Sequence, residues 1–277
     1  MNAPSSRVSS VDGTEIAYWT SGQGPPLLLV HGAMSDHRRW GPLLPFLEPS
    51  FRVHAVDRRG RGGSGDAPVY DIAREFEDLA AVIDAVVEDS GSPVDVYGHS
   101  YGGLCAFGAA TLTSNIRRLV LYEGWPPVEL EAWASPHGAE ERIEAAIAAG
   151  DRDAAVETLM RDVVMMTDDQ IAAVREQPSW PARVAAVHTV PRELRGQLTA
   201  PFDPEQASRI TVPVLMLTGS DSPDPAAAEV EIVAGAMPDA RIEVLDGQQH
   251  VADVLVPEVF AEHMLTFLDR PRRHTSV

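Results

Sequence analysis

The chain has 277 residues, 44% of them hydrophobic and 23% charged, an ordinary globular composition that buries roughly three quarters of its unfolded surface without covalent staples. Its 41 acidic residues outweigh 22 basic ones, and the net charge of -19 disfavours binding to nucleic acid or to an anionic membrane surface. A single cysteine, Cys105, excludes an intramolecular disulfide, and no run of 18 apolar residues is available to cross a bilayer.

In chain order, Met1 to Ser10 is polar and carries no apolar run, so no secretory signal is expected and the chain reads as cytoplasmic. Val11-Asp-Gly13 marks a tight turn. Short apolar runs follow at Ile16–Trp19, Pro26–Val30, Arg52–Val56, Pro93–Tyr97, Arg118–Tyr122, Val212–Thr218 and Arg241–Leu245. Most are continuous and bounded by Gly, Pro, Asp or Ser, as strands covered on both faces should be. The first two, joined through Gly22-Gln-Gly24, are expected to pair antiparallel at one edge. Helical patterns at Ile72–Glu88, Tyr101–Thr113, Ala226–Ala236 and Glu258–Leu268 alternate with the strands. Such alternation predicts an α/β fold with a mostly parallel sheet and helices on both faces. From Trp125 to about Ser208 the alternation stops. Glu140–Ala149, Asp153–Met166, Thr167–Arg175 and Ala182–Val190 read as helices, the last ended by Pro191. The chain therefore divides into a core of residues 1–124 and 209–277 and a helical cap, 125–208, within a single folded unit.

The most specific motif is Gly98-His-Ser100-Tyr-Gly102, a G-x-S-x-G between a predicted strand and a predicted helix. A serine there sits on a sharp turn, flanked by glycines that admit close backbone approach, with the positive helix end aimed at the reacting atom. Ser100 needs a base to become nucleophilic. His250, in a short loop between the last predicted strand and a helix, is the best placed. His31 and His99 flank glycines, His54 lies in a strand, His263 on a late helix, and His137 and His188 in the cap. A carboxylate must fix the imidazole tautomer. Asp221, just beyond the strand ending at Thr218, is the first candidate; Asp224 and Glu123 are alternatives. Two backbone N–H groups should hold the developing oxyanion: that of Tyr101, and that of Ala33 in His31-Gly32-Ala33-Met34, with Met34 in reserve. In the cap, Trp125, Trp133, Met165, Met166, Trp180 and His188 are candidates to line a mostly apolar pocket, with Met160 and Arg192 nearby.

His31-Gly32, Trp40, Asp57-Arg-Arg-Gly60-Arg-Gly62-Gly-Ser64, Gly98-His-Ser-Tyr-Gly102, Gly219-Ser-Asp221 and His250 occur in one order. Over residues 12 to 269 this order resembles the α/β-hydrolase superfamily, in particular its capped, single-domain bacterial serine hydrolases. The resemblance implies an eight-stranded, mostly parallel sheet with a lid after the sixth strand, and a structural role for Asp57 to Ser64. A serine nucleophile sets the chain apart from the haloalkane dehalogenases and epoxide hydrolases, which use Asp there. One departure is that Ser222 stands where the family's acid turn often carries Asp, and Leu121-Tyr-Glu123 is similar to relatives whose acid follows the sixth strand. The implied activity is cofactor-free and metal-free cleavage of a small, mostly apolar ester, lactone or thioester through an acyl-enzyme. The same triad serves carbon–carbon bond hydrolases, haloperoxidase-like enzymes and lyases, and the same fold serves as a non-catalytic ligand receptor. Beyond a small-molecule substrate no partner is implied, and a homodimer stays open.

Overall fold

The computed structural model describes residues 4–134, 138–222 and 226–269. Eight strands form one sheet in the order β1-β2-β4-β3-β5-β6-β7-β8. They are β1 (Ser6–Ser9), β2 (Glu15–Gly22), β3 (Pro26–Val30), β4 (Arg52–Val56), β5 (Val94–His99), β6 (Ile116–Tyr122), β7 (Val214–Gly219) and β8 (Ala240–Leu245). The expected edge pairing is corrected: β2 runs antiparallel to β1 and β4, while β3 lies parallel between β4 and β5. The connection through Gly22 to Gly24 therefore carries the chain past β4 instead of closing a hairpin. From β4 to β8 every neighbouring pair is parallel.

The central strands bury both faces, and alternate residues feed two cores. Leu28, Val96, Leu119 and Met216 pack on one side, under α1 (Ile72–Ser90) and α2 (Tyr101–Ala110). Leu27, Leu29, Tyr97 and Leu215 pack on the other with Phe260 and Phe267. Helix α1 begins where the Asp71 side chain accepts from the Ala73 N–H at 2.9 Å. It ends at Gly91, whose φ of 66° allows its N–H to reach the Val87 carbonyl.

All regular structure between β6 and β7 is helical among the described residues: α3 (Ala139–Ala148), α4 (Arg152–Thr158), α5 (Asp168–Arg175), α6 (Trp180–Ala186) and α7 (Val190–Gln197), with shorter turns. Thr167 and Gln170 close a reciprocal capping box at the start of α5. The predicted helix 153–166 is interrupted, because α4 passes at Leu159–Val163 into a π-helical turn. Pro191 begins α7 instead of ending a helix, since its missing N–H costs nothing in the first turn. These helices share a third apolar cluster, including Ile143, Met160, Val174 and Val187, which reaches the core through Met34 and Val251. No described helix is long and apolar enough to cross a membrane.

Candidate active site

Ser100 occupies the turn between β5 and α2 with φ 53° and ψ -130°, a conformation rarely adopted by a residue with a side chain. Surrounding contacts impose it. The Ser100 N–H donates to the Tyr122 carbonyl at 2.8 Å and its carbonyl accepts from Gly103 at 2.7 Å. A Cβ on Gly98 would come within 2.7 Å of the Gly102 oxygen and of the Gly103 Cα, so only glycine lets β5 meet α2 this tightly.

His250 lies in the loop after β8. Its Nδ1 is 2.7 Å from Glu123 Oε2. Glu123 follows β6 with φ 44°, which turns its side chain under the imidazole. Its other oxygen, Oε1, accepts from the Gly219 N–H at 2.9 Å, from Thr218 Oγ1 at 3.4 Å and from the Ser222 hydroxyl. Burial pushes this carboxyl upward, but the bonds and charge from His250, with those of Ser222 and Gly219, prevail and hold it below its ordinary value. His99, kept neutral by burial and by nearby Arg39, donates from Nε2 to the His250 carbonyl at 2.7 Å.

The expectation that Asp221 meets His250 is corrected. Its N–H donates to the Gln248 carbonyl at 3.0 Å, and that turn leaves its side chain exposed, accepting from the Ser220 hydroxyl at 3.0 Å. Asp224 and His137 lie outside the described residues.

Ser100, His250 and Glu123 line one cavity of about 320 Å³, together with Ala33 and Tyr101. As the first residue of α2, Tyr101 has an N–H without an intrahelical acceptor. Met34, the reserve donor, has φ 43° and packs into the helical cluster. Of the pocket candidates, Trp125, Trp133 and Met165 reach the cavity. Met160, Met166 and Trp180 are instead buried in the apolar cluster that the helices between β6 and β7 share with Met34 and Val251. His188 is exposed and bonds the Ala185 carbonyl at 2.9 Å, so it does not reach the site. Arg192 pairs with Asp66 at 2.8 Å. Sequence reading missed Leu159, Val163, Val190, Leu194, Glu193 and Gln197 as cavity walls. The last four share one side of α7, a 3-to-4-residue spacing that was legible but equally suited to burial.

Asp36, His37 and Asp57 gather ligand-type atoms within 4.8 Å of one another. Asp57 accepts from the His37 N–H, His37 Nδ1 and the Gly63 N–H at 2.7 to 2.9 Å, and Asp36 holds Arg38. These bonds brace the loop from Asp57 to Ser64.

The model of the alpha/beta hydrolase family matches residues 27–263. The chain is similar to the solved structure of an alpha/beta hydrolase from Sphaerobacter thermophilus, with 34% identity, a TM-score of 0.78, and coverage of 95% of this chain and 100% of that one. An esterase from a Rhodococcus species is 26% identical with a TM-score of 0.76, covering 95% and 98%. A curated relative, (E)-2-((N-methylformamido)methylene)succinate hydrolase of Acinetobacter baylyi, is 25% identical over 91% of this chain and 93% of its own.

Proposed function

This chain belongs to the alpha/beta hydrolase family, and from that premise we propose that it cleaves a carboxylic ester-type bond of a small, mostly apolar substrate through an acyl-enzyme on Ser100. His250 takes the Ser100 proton as Oγ attacks the carbonyl, and Glu123 holds the imidazole and stabilises its charged form. The Ala33 and Tyr101 N–H groups receive the oxyanion. The leaving alkoxide or thiolate takes the proton from His250, and water then deacylates the serine by the same steps in reverse. Residues 125–208 act as the lid, and no cofactor enters the scheme.

The observation that carries this reading is the 2.7 Å contact of His250 Nδ1 with Glu123, in the cavity that also holds Ser100 on its strained turn. The mostly apolar wall and a volume at the small end of ligand sites support a compact, neutral substrate. The esterase among the similar structures supports an ester. A panel of p-nitrophenyl esters of increasing acyl length tests it. Steady turnover is expected with short acyl chains, and Ser100→Ala is expected to lose at least ~10³-fold. Retained turnover in that variant rejects the mechanism, while single-turnover binding by the native chain points to a ligand receptor.

A further inference from the structure

Arg58 is a wholly buried guanidinium in the loop after β4, and it touches four separate parts of the molecule. Its Nε and Nη2 reach the two oxygens of Glu75 on α1, at 2.9 and 2.7 Å. Nη2 also meets Glu193 on α7, which Arg61 shares. The guanidinium lies 4.6 Å from the Tyr101 ring centroid. Its remaining nitrogen, Nη1, donates to the Gly32 carbonyl at 3.1 Å and to the His31 carbonyl at 3.4 Å.

The Gly32 carbonyl belongs to the same peptide unit as the Ala33 N–H. A trans peptide points its C=O and N–H in opposite directions, so whatever fixes the carbonyl fixes the donor. A second bond acts on the same oxygen. The Arg58 N–H donates to His31 Nε2 at 3.2 Å, which leaves the proton on Nδ1, and Nδ1 donates to the Gly32 oxygen at 2.8 Å. Burial and the Arg58 charge keep His31 neutral, as this arrangement requires. On the opposite side, Ala33 lines the cavity and a Cβ on Gly32 would stand 3.0 Å from the Ser100 Cβ.

We infer that Arg58 is the positioning residue of the oxyanion site, holding the Gly32–Ala33 peptide with its N–H toward the nucleophile and tying it, through Glu193, to the helical cap. The inference rests on the ester-hydrolase reading above. Two consequences separate it from a structural role. First, the carbonyl bond from a cation polarises the peptide and strengthens its N–H as a donor. Second, the effect appears only where charge develops on the substrate's carbonyl atom, so it enters kcat and not substrate affinity.

The experiment compares a p-nitrophenyl ester with its thionoester, in which sulfur replaces the carbonyl oxygen and accepts hydrogen bonds weakly. Two variants are used: Arg58→Lys, which keeps the charge but loses the fork, and the charge-neutral double replacement Arg58→Gln/Glu75→Gln. The double replacement Arg59→Gln/Asp78→Asn is the control, since Arg59 forms an adjacent buried pair with Asp78 at 2.7 Å and no bond to residues 31–33. In the Arg58 double variant kcat for the oxygen ester is expected to fall about 10²-fold, at little changed KM. The thionoester rate should change far less, so the oxygen-to-sulfur preference collapses. Arg58→Lys should fall between this variant and the native chain, and the control should keep the native preference. An unchanged preference in both Arg58 variants, or an equal collapse in the control, overturns the assignment. Absence of turnover of either ester by the native chain would overturn the hydrolase reading itself, and the positioning role with it.

Discussion

Glu123 concentrates the chemistry of the site in one side chain. One oxygen meets His250, and the other is spent on Gly219, Thr218 and Ser222. Glu123→Gln is expected to cost about 10³- to 10⁴-fold in kcat, because Gly219, Thr218 and Ser222 hold the amide oxygen and turn its NH2 toward His250 Nδ1, which then must accept and sits in the wrong tautomer. Asp221→Asn, a change at an exposed turn, should cost less than about 3-fold. Parallel kinetics of the two variants decide between the carboxylates, and a larger loss from Asp221 rejects Glu123. The depressed Glu123 carboxyl also ties stability to pH. Its contribution is complete above the ordinary glutamate value of about 4.3 and is lost as pH falls through the lower folded value. Denaturant titrations at descending pH should therefore show the native chain's advantage over Glu123→Gln shrinking below about pH 4. That Ser100 and His250 line one cavity was legible, because glycine spacing and loop position constrain them locally. The carboxylate that meets His250 was not, since both Glu123 and Asp221 follow a strand beside the site, and only backbone dihedrals decide which side chain turns inward. A left-handed glutamate at φ 44° leaves no trace in residue type.

The sheet supplies the rigidity that the strained turn at Ser100 needs. Leu29 on β3 is fully buried in the middle of the sheet, and Leu29→Ala is expected to cost about 2–5 kcal/mol of stability. Gly102 is the more discriminating position: a Cβ there would run into the Val30 and His31 carbonyls at the end of the same strand. Gly102→Ala should thus lower the melting temperature and any p-nitrophenyl ester turnover together, whereas Leu29→Ala should lower the melting temperature with kcat nearly unchanged. Strands β3 to β7 could be read because continuous apolar runs bounded by Gly, Pro and Asp have few other uses. The edge could not. β1 is four residues, SRVS, alternately half-buried and exposed, with no hydrophobic run to announce it, and its pairing with β2 depends on long-range register. The π-helical turn after α4 is likewise invisible in composition.

For the whole molecule, the net charge of -19 and the mostly apolar cavity act in the same direction. An anionic ester should be turned over with lower kcat/KM than its neutral isostere, and added salt should narrow the gap as the surface field is screened. Equal rates at low ionic strength would remove charge from the specificity. The helical stretch between β6 and β7 was legible as a place in the chain, because roughly 80 residues without a strand interrupt a regular alternation. Its working faces were not, since Met166 and Trp180 look as suited to a pocket as Trp125 and Met165, and only packing sends the first two inward. Fluorophosphonate labelling with peptide mapping, followed alongside p-nitrophenyl ester turnover, reads out whether Ser100 is the reacting group of a hydrolase. The expected result is a single adduct on Ser100, with activity lost in proportion to labelling. An adduct on any other residue, or full turnover by the labelled chain, would contradict it.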